Sequence, residues 1–275
     1  MGELLTPSRV RHLLDAHGLA PRKAAGQNFL VDPNTVRRIV AAADLAPGDT
    51  VLEVGPGLGS LTLGLAEAVD RVVAVEIDAG LVRALRETVG GCDNVEVIHA
   101  DALRVDLGEL VGGGAARLVA NLPYNVATPL VMHALLDEAV DDLFVMVQRE
   151  VGERWCAAPG TPLRAAVSAK IDLLAEADVV LRIPRSVFHP VPNVDSVMVR
   201  LRRRPDAPPP ADRDRIFAVV EAAFAQRRKT LRNTLRGLAG PEELAAAAGR
   251  AGVDLGARAE VVPTERLAAL ALALR

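Results

Sequence analysis

An α/β fold built on a parallel sheet, followed by a small all-helical domain, is what three features of this sequence predict. From position 33 onward, short β-branched runs alternate with helices of about ten residues, a pattern that sets parallel strands side by side through right-handed crossovers. One run, Val51-Leu52-Glu53-Val54, leads straight into a glycine-rich turn and then a helix. Past position 202 the strands stop, and chain rich in Arg and Pro gives way to amphipathic or Ala-rich segments. A chain of 275 residues and 29.0 kDa accommodates one large domain with a small companion, divided here as 1–203 and 204–275.

Asp32 caps and Pro33 opens a helix that runs to about Ala43. Thr50 to Val54 is a short apolar strand, Leu61 to Val69 a helix, Arg71 to Val75 a second strand, Ala79 to Thr88 a helix, and Val95 to His99 a third strand. Arg117 to Ala120 makes a fourth strand, Pro129 to Leu136 a helix, and Leu143 to Val147 a fifth strand. Gln148 to Ala157 is helical in pattern, and Val179 to Ile183 with Ser196 to Leu201 form a closing hairpin-like pair. After the linker at Arg202 to Ala211, helices are expected at Asp212 to Phe224, Lys229 to Leu238, Pro241 to Ala251 and Thr264 to Leu274.

Composition narrows the function classes. No apolar run approaches the ~20 residues that span a bilayer. The formal net charge of −3 argues against a uniformly basic nucleic-acid-binding surface, yet it conceals an asymmetry. Residues 41–181 carry 9 basic and 22 acidic side chains, whereas residues 182–236 carry 13 basic and 5 acidic. An acidic body flanked by basic segments fits a polyanion-facing surface as well as it fits charges spread over solvated helix faces. Cys92 and Cys156 are isolated and no His pair has metal-ligand spacing, so neither a disulfide framework nor a metal is expected. The opening Met1-Gly2-Glu3 lacks a charged-then-apolar targeting pattern, which predicts a cytoplasmic protein.

The glycine turn, Gly55-Pro56-Gly57-Leu58-Gly59, allows close backbone approach to a ligand at the carboxyl end of the sheet, but its spacing is not the Gly-x-Gly-x-x-Gly of dinucleotide enzymes. Two carboxylates make it more specific. Glu76 ends the next strand, where an acid accepts the hydroxyl protons of a ribose. Glu53 precedes the turn, where its charge repels a pyrophosphate and attracts an ammonium. A phosphate-free nucleoside that carries an amino-acid ammonium is S-adenosylmethionine. Asp101-Ala102, after the third strand, is placed to accept from the adenine amine. Gly26-Gln27-Asn28-Phe29-Leu30 is too short and polar for a core helix, so it is expected to form a lid that reaches the cofactor.

Asn121-Leu122-Pro123-Tyr124 follows the fourth strand on the same rim of the sheet. The lone pair of an adenine N6 amine is delocalised into the ring until two acceptors hold its hydrogens and turn it out of conjugation. The Asn121 side-chain oxygen and the Leu122 carbonyl, fixed by Pro123, are such acceptors, and Tyr124 can stack on an extruded base. Phe188, in a Pro-braced loop running to Ser196, is either a second aromatic face for that base or a core plug. Arg227, Arg228, Lys229 and Arg232 form a cationic helix start suited to gripping phosphate, with Arg22 and Lys23 in the other basic flank.

On Gly26 to Leu30, Glu53 to Gly59, Glu76-Ile77-Asp78, Asn121 to Tyr124, Gln148 to Val151, Phe188 to Ser196 and Arg227 to Asn233, the sequence resembles the ribosomal RNA adenine N6,N6-dimethyltransferase family, the kasugamycin-sensitivity and 18S dimethyladenosine transferases. The resemblance implies a seven-stranded, mostly parallel Rossmann-like class I methyltransferase sheet with a helical C-terminal domain that engages RNA. It implies S-adenosyl-L-methionine as cofactor and two adjacent adenines near the 3′ end of 16S rRNA as target, in an immature small subunit, with a monomeric enzyme and no membrane or metal. Carried over by position, Gln27, Asn28, Leu30, Glu53, Gly55, Gly57, Glu76, Ile77, Asp101, Ala102 and Asn121 face the cofactor, with Asn121, Leu122, Pro123, Tyr124 and Phe188 at the target base. Where the family has Tyr-Gly after a Pro-Gly pair, this chain has Arg164-Ala165, a departure that bears on the RNA site or the second methylation. The competing readings are a macrolide-resistance type enzyme acting on 23S rRNA and a non-catalytic ribosome assembly factor; a nicotinamide dehydrogenase is disfavoured by the glycine spacing and Glu53.

Overall fold

The structure, a computed structural model, describes residues 3–22 and 26–274. The chain forms two compact units, one of Met1–Gly152 with Asp178–Arg202 and one of Glu153–Ala177 with Arg203–Arg275.

Four helices of the first unit start where a short polar side chain, Thr6, Asp32, Asp78 or Asp106, supplies the cap. In α1 (Pro7–Ala16) the Thr6 hydroxyl accepts from the Arg9 N–H, a helix for which no sequence expectation was set. A two-residue strand, β1 (Phe29–Leu30), precedes α2 (Pro33–Ala43), whose cap Asp32 accepts from the Thr35 N–H as Pro33 takes the first turn. The chain then alternates as expected through β2 (Thr50–Val54), α3 (Ser60–Ala66), β3 (Arg71–Glu76), α4 (Ala79–Thr88), β4 (Val95–His99), the short α5 (Leu107–Leu110), β5 (Ala116–Asn121), α6 (Ala127–Leu136) and β6 (Val140–Gln148). After β6 come α7 (Arg149–Trp155), α8 (Ala166–Leu174), β7 (Ala175–Ile183), β8 (Phe188–His189) and β9 (Ser196–Arg203).

Seven strands form one sheet in the order β4-β3-β2-β5-β6-β9-β7. Its first five are mutually parallel and β9 lies antiparallel to β6. From β2 the chain winds outward through β3 to β4, then returns past β2 to lay down β5 and β6 on the other side. That reversal opens a crevice beyond the carboxyl ends of β2 and β5, because the loops that leave the two strands diverge there. β1 and β8 make a separate antiparallel pair, with Leu30 opposite Phe188. The core includes Leu13, Ile39, Leu65, Leu85, Phe144 and Phe188, and it anchors both the small pair and the sheet.

The second unit adds α9 (Pro210–Phe224), α10 (Leu231–Thr234), α11 (Pro241–Ala251) and α12 (Thr264–Ala273). The expected division at 203/204 does not account for Glu153–Ala177, which groups with these helices. The reason is packing: Ala169 and Leu173 of α8 are buried in one apolar cluster with Ile216, Val220, Leu244, Leu267 and Leu270. A network of charge reinforces it. Arg164 is 3% exposed and donates to the Ala157 carbonyl, Asp172 and Thr264, while Thr264 donates to Asp172 and Arg204 reaches the other Asp172 oxygen. Arg164 is therefore a structural brace of this unit. The helix expected at Lys229 to Leu238 shrinks to the single turn of α10.

Candidate functional site

A cavity of about 240 Å³ opens at the carboxyl ends of β2 and β5. Its wall brings together Gln27, Asn28, Leu30, Glu53, Gly55, Gly57, Glu76, Ile77 and the whole of Asn121-Leu122-Pro123-Tyr124. Topology accounts for the convergence, since β2 delivers the glycine turn, β3 delivers Glu76, and β5 delivers the Asn121 loop to one rim. Gly55 is at φ 70, and a Cβ there would sit 3.2 Å from Pro123, so the two loops approach as closely as they do because that residue is glycine.

Two buried acids define the electrostatics. Glu53 is 1% exposed and its Oε2 has no hydrogen-bond partner among the described residues. Burial pushes its carboxyl up to about 8 and the neighbouring Glu76 pushes the same way; Thr62 opposes them, although its hydroxyl makes no well-formed hydrogen bond. Glu76 is also raised by burial, but its oxygens are held, one by the Gly57 N–H at 3.1 Å and the other by the Asp78 N–H at 2.9 Å. Those bonds fix the carboxylate and leave further lone pairs as acceptors. The wall contains no Lys, Arg or His among the described residues. Such a cavity attracts a cation and repels a phosphate.

The Gly26–Leu30 segment and the Asn121 loop are joined by hydrogen bonds. The Asn121 amide donates to the Asn28 carbonyl at 3.2 Å, which leaves the amide oxygen as an acceptor on the cavity side. Asn28 in turn donates to the Gly26 carbonyl, and Gln27 closes the loop by accepting from the Arg22 N–H. Ser60 at the start of α3 donates to the Leu30 carbonyl at 2.5 Å and ties that segment to the glycine turn. Leu122 has its side chain buried and its N–H on the Met146 carbonyl, so the loop leaves the sheet in a fixed direction. Tyr124 lines the cavity while its hydroxyl pairs with Ser196 at 2.9 Å, and burial raises its phenol above the usual value.

Several expected site residues lie elsewhere. Phe188 is 2% exposed, packed in the core opposite Leu30, so it is the plug and not a face of the cavity. Asp101 and Ala102 are outside the wall, because the chain turns after β4 and the Asp101 carboxylate is engaged by the Leu103 N–H and by Arg104. Arg22 pairs with Asp78, the cap of α4, within the first unit, and Lys23 falls outside the described residues. Arg227, Arg228, Lys229 and Arg232 are all exposed on the second unit; Arg227 also donates to the Pro162 carbonyl. Sequence reasoning missed Leu58, Leu61, Leu81, Asn125 and Val126 of the wall, whose apolar or loop character gives no chemical signal, and Ser196, which follows Asp195 in the Pro-braced loop.

Comparison with known proteins agrees with this geometry. The family described as ribosomal RNA adenine dimethylase matches residues 18–274. A protein of Thermobifida fusca called ribosomal RNA small subunit methyltransferase A is 52% identical over 266 residues, covering 94% of this chain and 92% of its own. One of the same name from Moorella thermoacetica is 45% identical over the whole of both chains. Among solved structures, the 23S rRNA methyltransferase ErmE is similar with a TM-score of 0.69 and 30% identity, over 90% of this chain and 99% of its own. A dimethyladenosine transferase from Plasmodium falciparum shares the fold, with a TM-score of 0.73 at 22% identity over 88% of this chain and 95% of its own.

Proposed function

The chain belongs to the ribosomal RNA adenine dimethylase family, and we propose that it methylates the N6 amines of two adjacent adenines in a hairpin loop near the 3′ end of 16S rRNA, in the immature small subunit and as a monomer. The donor is S-adenosyl-L-methionine. The observation that carries this reading is a cavity wall with two buried carboxylates, no basic side chain among the described residues, and the Asn121 amide on the same rim.

The residues present fit that donor. The unpartnered Glu53 oxygen is completed by a cationic amino-acid group, and the held Glu76 carboxylate accepts from ribose hydroxyls. Ile77, 63% exposed at the cavity rim, offers apolar surface to a purine. When bound, the donor supplies an electrophilic methyl group on a positively charged sulfur.

The chain's own part is positioning. The Asn121 oxygen and the Leu122 carbonyl accept the two N6 hydrogens, which frees the nitrogen lone pair, and Tyr124 stacks against the extruded base. No strong base is required, since the amine loses its proton after transfer. After the first methyl is in place, one N–H still finds an acceptor in the same pair, so one loop serves both transfers to an adenine. Exposed Arg227, Arg228, Lys229 and Arg232 are suited to hold RNA phosphates.

A 23S target is the less favoured reading, because identity reaches 52% with relatives named for the small subunit and 30% with ErmE. Incubating the protein with labelled donor and unmethylated small subunits, then mapping modified bases, tests the proposal. Two adjacent N6,N6-dimethyladenines in 16S rRNA are expected; label confined to 23S rRNA in a parallel large-subunit reaction would overturn it.

A further inference from the structure

Tyr124 is the single tyrosine of the chain, and its ring forms part of the cavity wall. A ring that receives a base must hold one orientation, because a stacking face free to swing adds disorder to a reaction that depends on alignment. The backbone of its loop is fixed by two hydrogen bonds, Leu122 N–H to the Met146 carbonyl and Val126 N–H to the Pro123 carbonyl. These set the Cα from which the ring projects. Its polar contact is at the far end of the side chain, where the hydroxyl meets the Ser196 hydroxyl at 2.9 Å.

Ser196 is placed to serve as a stationary anchor. It is fully buried, it is the first residue of β9, and it pairs with Gln148 at the end of β6. The preceding residue is held twice, its carbonyl by the Arg149 N–H and its carboxylate by the Arg185 N–H, both at 3.0 Å. In the sheet β9 lies beside β6 and β6 beside β5, and the loop after β5 carries the Tyr124 hydroxyl to the first residue of β9. Ser196 is not part of the cavity wall, and its side chain meets the wall through the Tyr124 hydroxyl.

We propose that Ser196 is a positioning residue for methyl transfer, its hydroxyl holding the Tyr124 ring in the orientation that receives the target adenine. This rests on the reading that the base stacks on Tyr124, and the two are separable by experiment. Ser196→Ala is expected to lower kcat about 10-fold while KM for RNA and the donor Kd stay within about twofold, the pattern of lost alignment and not of lost binding. Tyr124→Phe, which removes the same bond from the other partner, should match it, and the double variant should be no slower than either single one. Because one phenol is present, its ultraviolet titration in the substrate-free protein reports the anchor directly. Ser196 opposes the rise that burial imposes, so Ser196→Ala should titrate at higher pH than the parent.

Wild-type kcat in Ser196→Ala, multiplied losses in the double variant, or an unmoved phenol titration would each overturn the proposal. If Ser196→Ala does not fold, Tyr124→Phe carries the kinetic test without altering the buried strand. Full methylation by Tyr124→Ala would instead contradict the stacking role itself, whatever the titration shows.

Discussion

Two buried sets of charge in this molecule are solved in opposite ways. In the second unit, Arg164 is almost wholly buried and both terminal nitrogens of its guanidinium are held, by the Ala157 carbonyl, Asp172 and Thr264, with only its Nε lacking a partner among the described residues. In the first unit, Glu53 is as deeply buried and one of its oxygens has no partner among the described residues. A paired buried charge is costly to break, whereas an unpaired one neutralises itself or waits for something that supplies the opposite sign. The first arrangement holds helices together; the second leaves a place that a cationic ligand completes. The same contrast separates two aromatic residues near the cavity, Phe188 packed in the core and Tyr124 on the wall.

The largest effect expected is on packing. Phe188→Ala should cost about 3–5 kcal/mol of stability in denaturant unfolding, the price of emptying a large core position. A loss of methylation in Phe188→Ala without any loss of stability would place Phe188 at the base after all. Close behind is Asn121→Ala, which removes one of two acceptors and should lower kcat about 10²–10³-fold while the protein melts as before. Measured methylation within a few-fold of the parent would remove Asn121 from the chemistry.

Asp172→Ala should cost about 2–3 kcal/mol, below the usual figure for breaking a buried pair because the Asp172 side chain is 33% exposed, and it should leave donor affinity unchanged. The smallest and most diagnostic effect is on pH dependence. A carboxyl that titrates near 8 in the folded chain and at 4.5 outside it binds its proton more tightly when folded. Its contribution to stability is full below pH 4.5 and is lost as pH rises through about 8. The Tm of the donor-free parent should therefore fall across that upper range, and Glu53→Gln should flatten the decline. Identical pH profiles for the two proteins would contradict the buried state assigned to Glu53.

Legibility in the sequence followed how local each signal was. The glycine turn after β2, Glu76 at the end of β3 and the Asn121 loop after β5 were readable because each is fixed to a strand end, and parallel strands put those ends on one rim. Phe188 was ambiguous for the converse reason: an aromatic in a Pro-braced loop carries no mark of which way it packs, and pairing of β8 with β1 decided it. Asp101, two residues past β4, looked equivalent to Glu76 at the end of β3, yet it lies outside the cavity wall that Glu76 forms. The grouping of α8 with the C-terminal helices was invisible because its partners lie 40 or more residues downstream, beyond the reach of periodicity. Ser196 carries no signal alone; only the fold brings it to Tyr124, 72 residues away in sequence.

The central claim is that Glu53 is the buried carboxyl that gives up its proton and pairs with the cationic group of the methyl donor, and calorimetry of donor binding in buffers of different ionisation heat tests it most directly. At neutral pH the parent should bind the donor and release up to one more proton per site than Glu53→Gln does, with the variant binding about 100-fold more weakly. Equal affinity and equal proton release in the two proteins, or no donor binding by the parent, would contradict the account.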